Sequence, residues 1–182
     1  MLLAFDTATS FGAVCGTSAG SRALTGRAGD VLAAIDELVG DPAELEGIVV
    51  GRGPGSFTSI RIGLAVARSL ALALRVPVGG ASTLDAFAGG VPVIDARRGE
   101  VFVPGPAVAR PADVDGAGKT LVGDGAIRYR DVFEARGAEI PPDDDPAHVP
   151  DPLLLLEHAG ALGAAELVEP LYVREPDARP SR

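Results

Sequence analysis

The sequence predicts an α/β fold whose sheet contains a parallel pairing of strands. An apolar run at residues 48–50, a glycine-rich turn, a long apolar helix at residues 60–74 and a strand at residues 76–79 form a βαβ unit. A short apolar strand ending in aspartate, followed by a turn and another strand, occurs twice about ninety residues apart. With 182 residues, 47% of them hydrophobic, the chain is long enough for one sizeable core or two small ones.

Three short strands open the chain. Residues 2–5 are apolar and end at Asp6, and residues 11–16 alternate enough to pair back with them. Residues 22–25 predict a third strand. A strand, a polar turn and a strand therefore form the first unit.

A helix follows and precedes the βαβ unit. Gly29 and Asp30 open it, and Gly40 stops it. Its apolar residues share one face, namely Val31, Leu32, Ile35, Leu38 and Val39. After the βαβ unit we expect a helix at residues 82–88 and a subdomain boundary at residues 89–90, so that the first subdomain covers residues 1–90 and the other residues 91–182.

The C-terminal half is predicted to repeat the strand, aspartate, turn and strand of the N-terminal half, with fewer regular elements. An apolar strand at residues 91–94 ends at Asp95, and residues 100–103 pair back with it. The Pro-, Ala- and Gly-rich residues 104–118 predict a loop. The remaining elements are a strand at 120–123, a helix at 126–136, an acidic Pro-rich loop at 140–152, a helix at 153–165 and an extended surface segment at 169–182.

The long helix has almost no polar face. Arg61, Arg68 and Arg75 lie seven residues apart and form one narrow stripe. One apolar face carries Ile60, Leu64, Ala67, Ala71 and Leu74, and another carries Ile62, Val66, Leu70 and Ala73. One sheet cannot cover both faces, so the other face meets either a further layer of the same chain or another helix. We favour a helical dimer surface, because small residues allow close approach.

The glycine-rich turn and the end of the first strand are candidate nucleotide-binding loops. Backbone amides at a helix start attract anions, although any tight turn from strand to helix uses the same residue types. The turn lacks the lysine of a P-loop and the spacing of a dinucleotide fingerprint. An acidic strand end holds hydrated magnesium in some nucleotide sites and is equally ordinary in hairpins. The candidate residues are Asp6, Thr7, Gly53, Gly55, Ser56 and Thr58.

Composition argues against several other kinds of site. A net charge of −9 with Lys119 as the only lysine predicts that the chain alone binds nucleic acid poorly. The ten-residue spacing of His148 and His158 does not form a metal motif, and we expect a solvated loop histidine and a helix-flank histidine. No Ser, His and Asp set suggests an acyl-transfer triad. Cys15 lies in an apolar alternation and is predicted to be a buried structural thiol.

The chain also lacks the features expected of export or membrane insertion. No run is predicted to reach the roughly eighteen apolar residues of a membrane span, and Met1 leads directly into a strand instead of a signal peptide. We therefore expect a soluble cytoplasmic protein without a membrane partner.

Several segments in order resemble the bacterial tRNA threonylcarbamoyladenosine biosynthesis protein TsaB (YeaZ) family. They are LLAFDTATS, GRGPGSFTSIRIGLAVARSLALAL, VPVGGASTLDAFA, VIDARRGEVFV, LVGDGA and PLYVR. The resemblance covers most of the chain. It implies two ribonuclease H-like subdomains related to actin-like ATPases, and in this chain we expect the C-terminal one to be reduced.

The resemblance also implies a function. Members of this family are noncatalytic partners of TsaD, the enzyme that transfers a threonylcarbamoyl group to tRNA, and the ATPase TsaE joins the assembly. The resemblance further implies a homodimer when the chain is alone, contact with tRNA only through the complex, and at most weak ATP or ADP binding. The expected partner surface comprises Ile60, Leu64, Ala67, Ala71 and Leu74, with Ile35 and Leu38 from the preceding helix. The opposite face of the long helix is an equally open alternative for the exposed surface.

Two departures from the family pattern bear on the turn. Ser59 stands where the family block commonly has glycine, and residues 25–30 lack a histidine-serine pair often present there. Besides the scaffold hypothesis, two enzyme classes stay open. One is an actin-like ATPase or small-molecule kinase using Asp6, Asp95 and the turn at residues 53–58. The other is a metallopeptidase, which would need metal ligands that the sequence does not display.

Overall fold

The computed structural model describes residues 1–174 and has a mixed α/β fold built on a five-stranded sheet. The strands are β1 Leu2–Asp6, β2 Ala13–Thr17, β3 Arg22–Thr25, β4 Gly47–Gly51 and β5 Val78–Ala81, in the order β3-β2-β1-β4-β5. β1 pairs antiparallel with β2 and parallel with β4, and β4 pairs parallel with β5. The predicted βαβ unit and its parallel pairing are confirmed.

Two helices cover one face of this sheet. They are α1, Val31–Val39, which is followed by Gly40, and α2, Phe57–Leu74. The Ser56 hydroxyl caps α2 by accepting a hydrogen bond from the Ser59 amide. The core between helices and sheet includes Val31, Ile35, Ile60, Leu64, Ala67, Leu3, Phe5, Ile48 and Val50. Each large aliphatic side chain buried there contributes about 1.5–3 kcal/mol relative to an exposed one.

A short helix near the C-terminus covers the other face of the sheet. Successive side chains of a strand point to opposite faces, and Ala4, Val49 and Ala81 form a cluster with Leu155 on the face away from α1 and α2. Leu155 belongs to α5, Pro152–Glu157. The helix predicted at residues 153–165 is thus much shorter. Beyond it the chain returns to the sheet edge, where Gly163 forms an antiparallel bridge with Val78.

The C-terminal half contains two small sheets. β6 Val91–Pro92 pairs parallel with β10 Leu121–Val122, and β7 Ile94–Arg97, β8 Glu100–Val103 and β9 Ala107–Ala109 form an antiparallel sheet. Two short helices follow, α3 Asp124–Arg128 and α4 Arg130–Glu134. Their core includes Val93, Val101, Leu121, Ala126 and Phe133. Of the extended segment predicted at residues 169–182, residues 175–182 lie outside the described residues.

Three further local predictions, all for residues after the βαβ unit, are wrong. The predicted helix at residues 82–88 is a 3-10 turn, Thr83–Ala86, whose Thr83 amide bonds to Gly53 instead of within a longer helix. The predicted loop at 104–118 contains β9, because the edge of β8 supplies hydrogen-bonding partners. The predicted helix at 126–136 is broken at Tyr129, whose φ of −113° and ψ of 25° are not helical.

His148 is fully buried instead of solvated. Its Nδ1 accepts a hydrogen bond from the Gly123 amide at 3.1 Å, and its Nε2 lies 3.1 Å from the Pro141 carbonyl oxygen. Since Nδ1 is an acceptor, the proton of the neutral ring is assigned to Nε2, which donates to Pro141. Arg130 also donates to the Pro141 carbonyl, at 2.6 Å. The acidic Pro-rich segment is therefore folded onto the C-terminal half.

By length and composition, α2 passes the test for a membrane span, contrary to the expectation from the sequence. It is the helix within residues 1–174 that does so, with a mean hydropathy of 1.5 and 28% of its residues buried. A core helix of a soluble protein meets the same criteria, and one side of α2 packs against the sheet.

Replacing His148 tests its role as a buried connector. In His148→Phe the Gly123 amide and the Pro141 carbonyl lose their partner, and we expect the free energy of unfolding to fall by about 2 kcal/mol in urea denaturation. The control is His158→Phe, at an exposed position, which should change it by less than about 0.5 kcal/mol. Equal effects of the two substitutions would contradict the connector role.

Candidate functional site

A cleft of about 400 Å³ lies between the first sheet and the C-terminal half. Its lining includes Ser10, Arg27, Ser56, Thr58, Asp95 and Arg97. The start of α2 faces it, so the unpaired backbone amides and the positive end of the helix dipole are directed into the cleft. The cleft can therefore attract an anionic group.

The glycine-rich turn shapes one wall of the cleft. The Ser56 amide donates to the Ala8 carbonyl at 2.8 Å, which presses the turn against the segment after β1. A Cβ atom at Gly55 would lie 2.4 Å from that same oxygen. Gly53 has a φ of 100°, in the left-handed region that glycine adopts without strain. The turn requires glycine at both positions.

Asp6 lies beneath the turn and is buried. The Thr83 hydroxyl donates to its Oδ2 at 2.5 Å, and the Ala8 amide donates to its Oδ1 at 2.6 Å. Thr83 Oγ1 in turn accepts from the Gly53 amide at 3.2 Å. Burial raises the pKa of the Asp6 carboxyl above its ordinary value, the two hydrogen bonds oppose the rise, and the charge of Asp124 adds to it. The Asp6 carboxyl group thus fixes the position of the turn through Thr83 and Ala8.

Asp124 joins the two halves at the cleft. It is the first residue of α3, and its two carboxylate oxygens accept from the amides of Ser10 and Asp95, both at 2.9 Å. It is not among the site residues predicted from the sequence. Like Asp6 and Asp95, however, it closely follows a buried apolar strand, and that pattern is the signal by which it could have been found.

Asp95 fixes the turn between β7 and β8. Its Oδ1 accepts from the Arg97 amide at 2.9 Å, and its Oδ2 lies 3.4 Å from the Arg97 guanidinium and 3.6 Å from that of Arg128. Arg97 and Arg98 have φ values of 62° and 55°. A left-handed backbone costs a residue with a side chain about 1–2 kcal/mol, so the pairing around Asp95 supports a strained turn.

The six predicted nucleotide-loop residues are close in space but do not all reach the cleft. Gly55, Ser56 and Thr58 line it. Asp6 and Thr7 are buried, and Thr7 Oγ1 donates to the Ser59 carbonyl at 2.6 Å. Gly53 bonds to Thr83 through its amide. Nucleotide binding stays a prediction, carried by the three residues that line the cleft.

Most of the predicted partner face of α2 packs into the chain's own core, and the exposed side of the helix is the opposite one. Ile60, Leu64, Ala67 and Ala71 are at most 5% exposed, and Ile35 of α1 is 4% exposed. Leu38 and Leu74 are partly buried against the same core. Both faces of α2 are apolar, so periodicity alone could not decide which face meets the sheet.

The opposite side of α2 is exposed. Leu72 is 83% exposed, and Ala65, Ser69 and Ala73 are exposed beside it. A groove of about 600 Å³ runs between α1 and α2, and its apolar lining includes Leu32, Ile35, Leu45, Leu70 and Leu74. The exposed or partly exposed residues among these form the surface called here the α2 outer surface, namely Ala65, Ser69, Leu72 and Ala73 with Leu32, Leu70 and Leu74 from the groove.

Metal-ligand clusters and cysteine thiols are two other groups that form reactive sites in proteins. Within residues 1–174, no group of three His, Cys, Asp or Glu side chains is placed to hold a metal ion. The predicted burial of Cys15 is confirmed, and burial raises the pKa of its thiol.

The chain is similar in sequence and in structure to several known proteins. The family model for TsaD, tRNA N6-adenosine threonylcarbamoyltransferase, matches residues 28–132. An uncharacterized protein of Mycobacterium tuberculosis is 36% identical over 165 residues, which cover 83% of this chain and 74% of that protein. The TsaB protein of Bacillus subtilis is 38% identical over 81 residues, 38% of this chain and 35% of that protein. The structure of YeaZ from Pseudomonas aeruginosa aligns with a TM-score of 0.73 and 26% identity, over 94% of this chain and 98% of that one.

The buried Asp6 should give stability a distinctive pH dependence. Because its folded-state pKa is raised, its contribution is complete below the unfolded value of about 3.8 and is lost as pH rises through the folded-state pKa. Asparagine does not ionise, so Asp6→Asn should gain stability relative to the wild type as pH rises from about 4 to 7. Urea unfolding at several pH values measures the difference.

Asp151 provides a control whose contribution to stability should change with pH in the opposite direction. Its hydrogen bond from Arg22 lowers its pKa, so its contribution is present above the unfolded pKa and is lost as pH falls through the folded-state value. Asp151→Asn should therefore lose stability relative to the wild type as pH rises. Slopes of the same sign for both variants would contradict the assignment for Asp6.

Proposed function

The chain belongs to the TsaB (YeaZ) family, and from this membership we propose that it is a noncatalytic subunit that activates a TsaD-like threonylcarbamoyltransferase acting on tRNA. The observation that carries the proposal is the α2 outer surface. A leucine that is 83% exposed on an 18-residue helix, whose flank towards α1 lines an apolar groove, suits a surface that another protein covers. The proposed role is to present this surface to the catalytic subunit.

The composition of the α2 outer surface suits helix packing. Ala65, Ser69 and Ala73 are small and allow a partner helix to approach closely, while Leu72 supplies a large apolar contact. The adjacent groove offers Leu32, which is 50% exposed, as another apolar contact. Covering these apolar side chains would remove them from water, which favours association.

The same surface is proposed to form the homodimer when the catalytic subunit is absent. α1 exposes Asp36 and Glu37, whereas α2 exposes Arg75 at its end. Two copies that pack α2 against α1 would bring charges of opposite sign together, which favours one orientation. The homodimer and the complex with the catalytic subunit would then exclude each other.

We further propose that residues 1–90 and 91–182 are two ribonuclease H-like subdomains, the C-terminal one reduced. The strand order β3-β2-β1-β4-β5, and the strand, aspartate and hairpin around both Asp6 and Asp95, support this proposal. The net charge of −9 supports contact with tRNA through the complex instead of directly. A TsaE-like ATPase is the third proposed member, and the cytoplasm is the proposed location.

An actin-like ATPase or small-molecule kinase is the other candidate. The observation in its favour is the cleft, where Gly55, Ser56 and Thr58 surround the positive end of α2. Asp6, which this mechanism would use, is instead bonded to Thr83 and Ala8 beneath the turn. The noncatalytic proposal therefore has the stronger support.

Substitution of Leu72 tests the proposed interface. Leu72→Arg places a charge where the partner would exclude water, and it should weaken binding to the TsaD-like protein of the same organism at least about tenfold. Titration calorimetry gives the affinity, and light scattering gives the molar mass of the chain alone and of the mixture.

Val132→Arg is the matched control, because Val132 is an exposed apolar residue on α4 in the C-terminal half. It should leave both measurements unchanged. If Leu72→Arg binds like the wild type, the assigned surface is wrong. Leu64→Arg is unsuitable as a test, because that charge would enter the core.

ATP turnover separates the two candidate functions. We expect the purified chain to hydrolyse no ATP above background, because Asp6 is buried beneath the turn and does not line the cleft. A coupled phosphate-release assay measures the rate in the wild type and in Asp6→Asn. Turnover in the wild type that falls in the variant would favour the enzyme.

A further inference from the structure

Residues 168–174 cross from the first sheet to the C-terminal half. Val168 is 8% exposed and belongs to the core beneath α2. The Leu171 amide donates to the Arg52 carbonyl at 2.7 Å, just before the glycine-rich turn. Arg174 then donates to Glu100 Oε2 at 2.7 Å and to the Ala96 carbonyl at 2.8 Å. A short segment therefore contacts both sides of the cleft.

The arginine stripe of α2 binds this segment. Arg68 Nη2 donates to the Val168 carbonyl at 2.7 Å, and Arg61 Nε donates to the Tyr172 hydroxyl at 3.0 Å. The seven-residue spacing of the two arginines thus matches two points along the crossing segment. This contact explains the polar stripe on a helix that is otherwise apolar.

Aromatic rings form the middle of the crossing. The Tyr172 ring stacks on Phe57, the first residue of α2, with centroids 4.8 Å apart and planes inclined by 28°. The Arg61 guanidinium lies 3.9 Å from the centroid of Phe57. Tyr172 also lines the cleft, so it covers the start of α2.

We propose that residues 168–174 are a detachable strap that holds the cleft closed. Its two ends are anchored differently. Val168 is in the core, whereas Tyr172 is 37% exposed and the Arg174 and Glu100 side chains are 28% and 35% exposed. Exposed ion pairs and aromatic contacts yield to solvent more readily than a buried aliphatic side chain does. Release therefore begins at Arg174.

The Asp124 contact provides the hinge for this opening. It ties Ser10 of the first half to Asp95 of the C-terminal half through two hydrogen bonds. When the strap releases, this tie remains, and the cleft widens beside Tyr172.

Spin-label distances test the strap in the full-length chain. Labels are placed through Ala19→Cys and Ala112→Cys, two exposed positions in different halves, in a Cys15→Ala background. Labelled protein is diluted with unlabelled protein so that distances within one chain dominate. Double electron-electron resonance then compares the wild type with Arg174→Gln, which removes the bonds to Glu100 and Ala96.

We expect a longer and broader distance distribution in Arg174→Gln. The matched control is Arg22→Gln, which breaks another ion pair, that of Arg22 with Asp151, away from the cleft. The control should keep the narrow wild-type distribution. A narrow, unchanged distribution in Arg174→Gln would overturn the proposal.

Hydrogen exchange provides another measurement with a milder variant. Tyr172→Phe keeps the ring stack and removes only the hydroxyl bonded to Arg61. The Leu171 amide should exchange about threefold faster in this variant and at least about tenfold faster in Arg174→Gln. The Ile48 amide of β4 should not change in either. Acceleration at both amides, or at neither, would mean that the strap does not open separately from the fold.

Discussion

The buried carboxylate of Asp6 organises the first half of the molecule. It accepts hydrogen bonds from Thr83 and from the Ala8 amide, and Thr83 exchanges two further bonds with the backbone of Gly53. A Cβ atom at Gly51 would lie 1.7 Å from Asp6 Oδ2, so that position is held to glycine. The ends of β1 and β4 and the segment after β5 therefore meet at one carboxyl group. The direction in which α2 leaves the sheet depends on this meeting point.

α2 combines three structural roles that ordinarily fall to different elements. One side packs on the sheet, its first turn faces the cleft, and its outer side is apolar and exposed. Each role requires small or apolar residues over much of the helix. This overlap explains both its resemblance in composition to a membrane span and why periodicity alone does not decide which of its faces meets the sheet. Two of its few polar positions, Arg61 and Arg68, contact the crossing segment.

Local patterns in the sequence predict every strand of the first sheet and both of its helices, with bounds within about three residues of those observed. Strand β3 has the predicted bounds, and Gly40 ends α1 as predicted, because a glycine stop acts within one turn. α2 begins at Phe57, before the predicted start at residue 60, because Ser56 caps it. Long-range contacts decided the rest. Asp124 bonds to the Ser10 amide 114 residues away, and the burial of His148 depends on Gly123. Composition predicts a solvated loop around His148, because the Gly123 amide that meets its ring is not nearby in sequence.

The position of α5 has a consequence for synthesis of the chain. Strands β1 to β5 are complete by Ala81, yet the helix that covers their other face begins at Pro152. A ribosome translates roughly 5–20 residues per second, so the nascent chain carries an uncovered apolar sheet face for several seconds. A product that ends early keeps that face permanently. Chains that include α5 cover this apolar face, whereas chains truncated before α5 leave it exposed to chaperones.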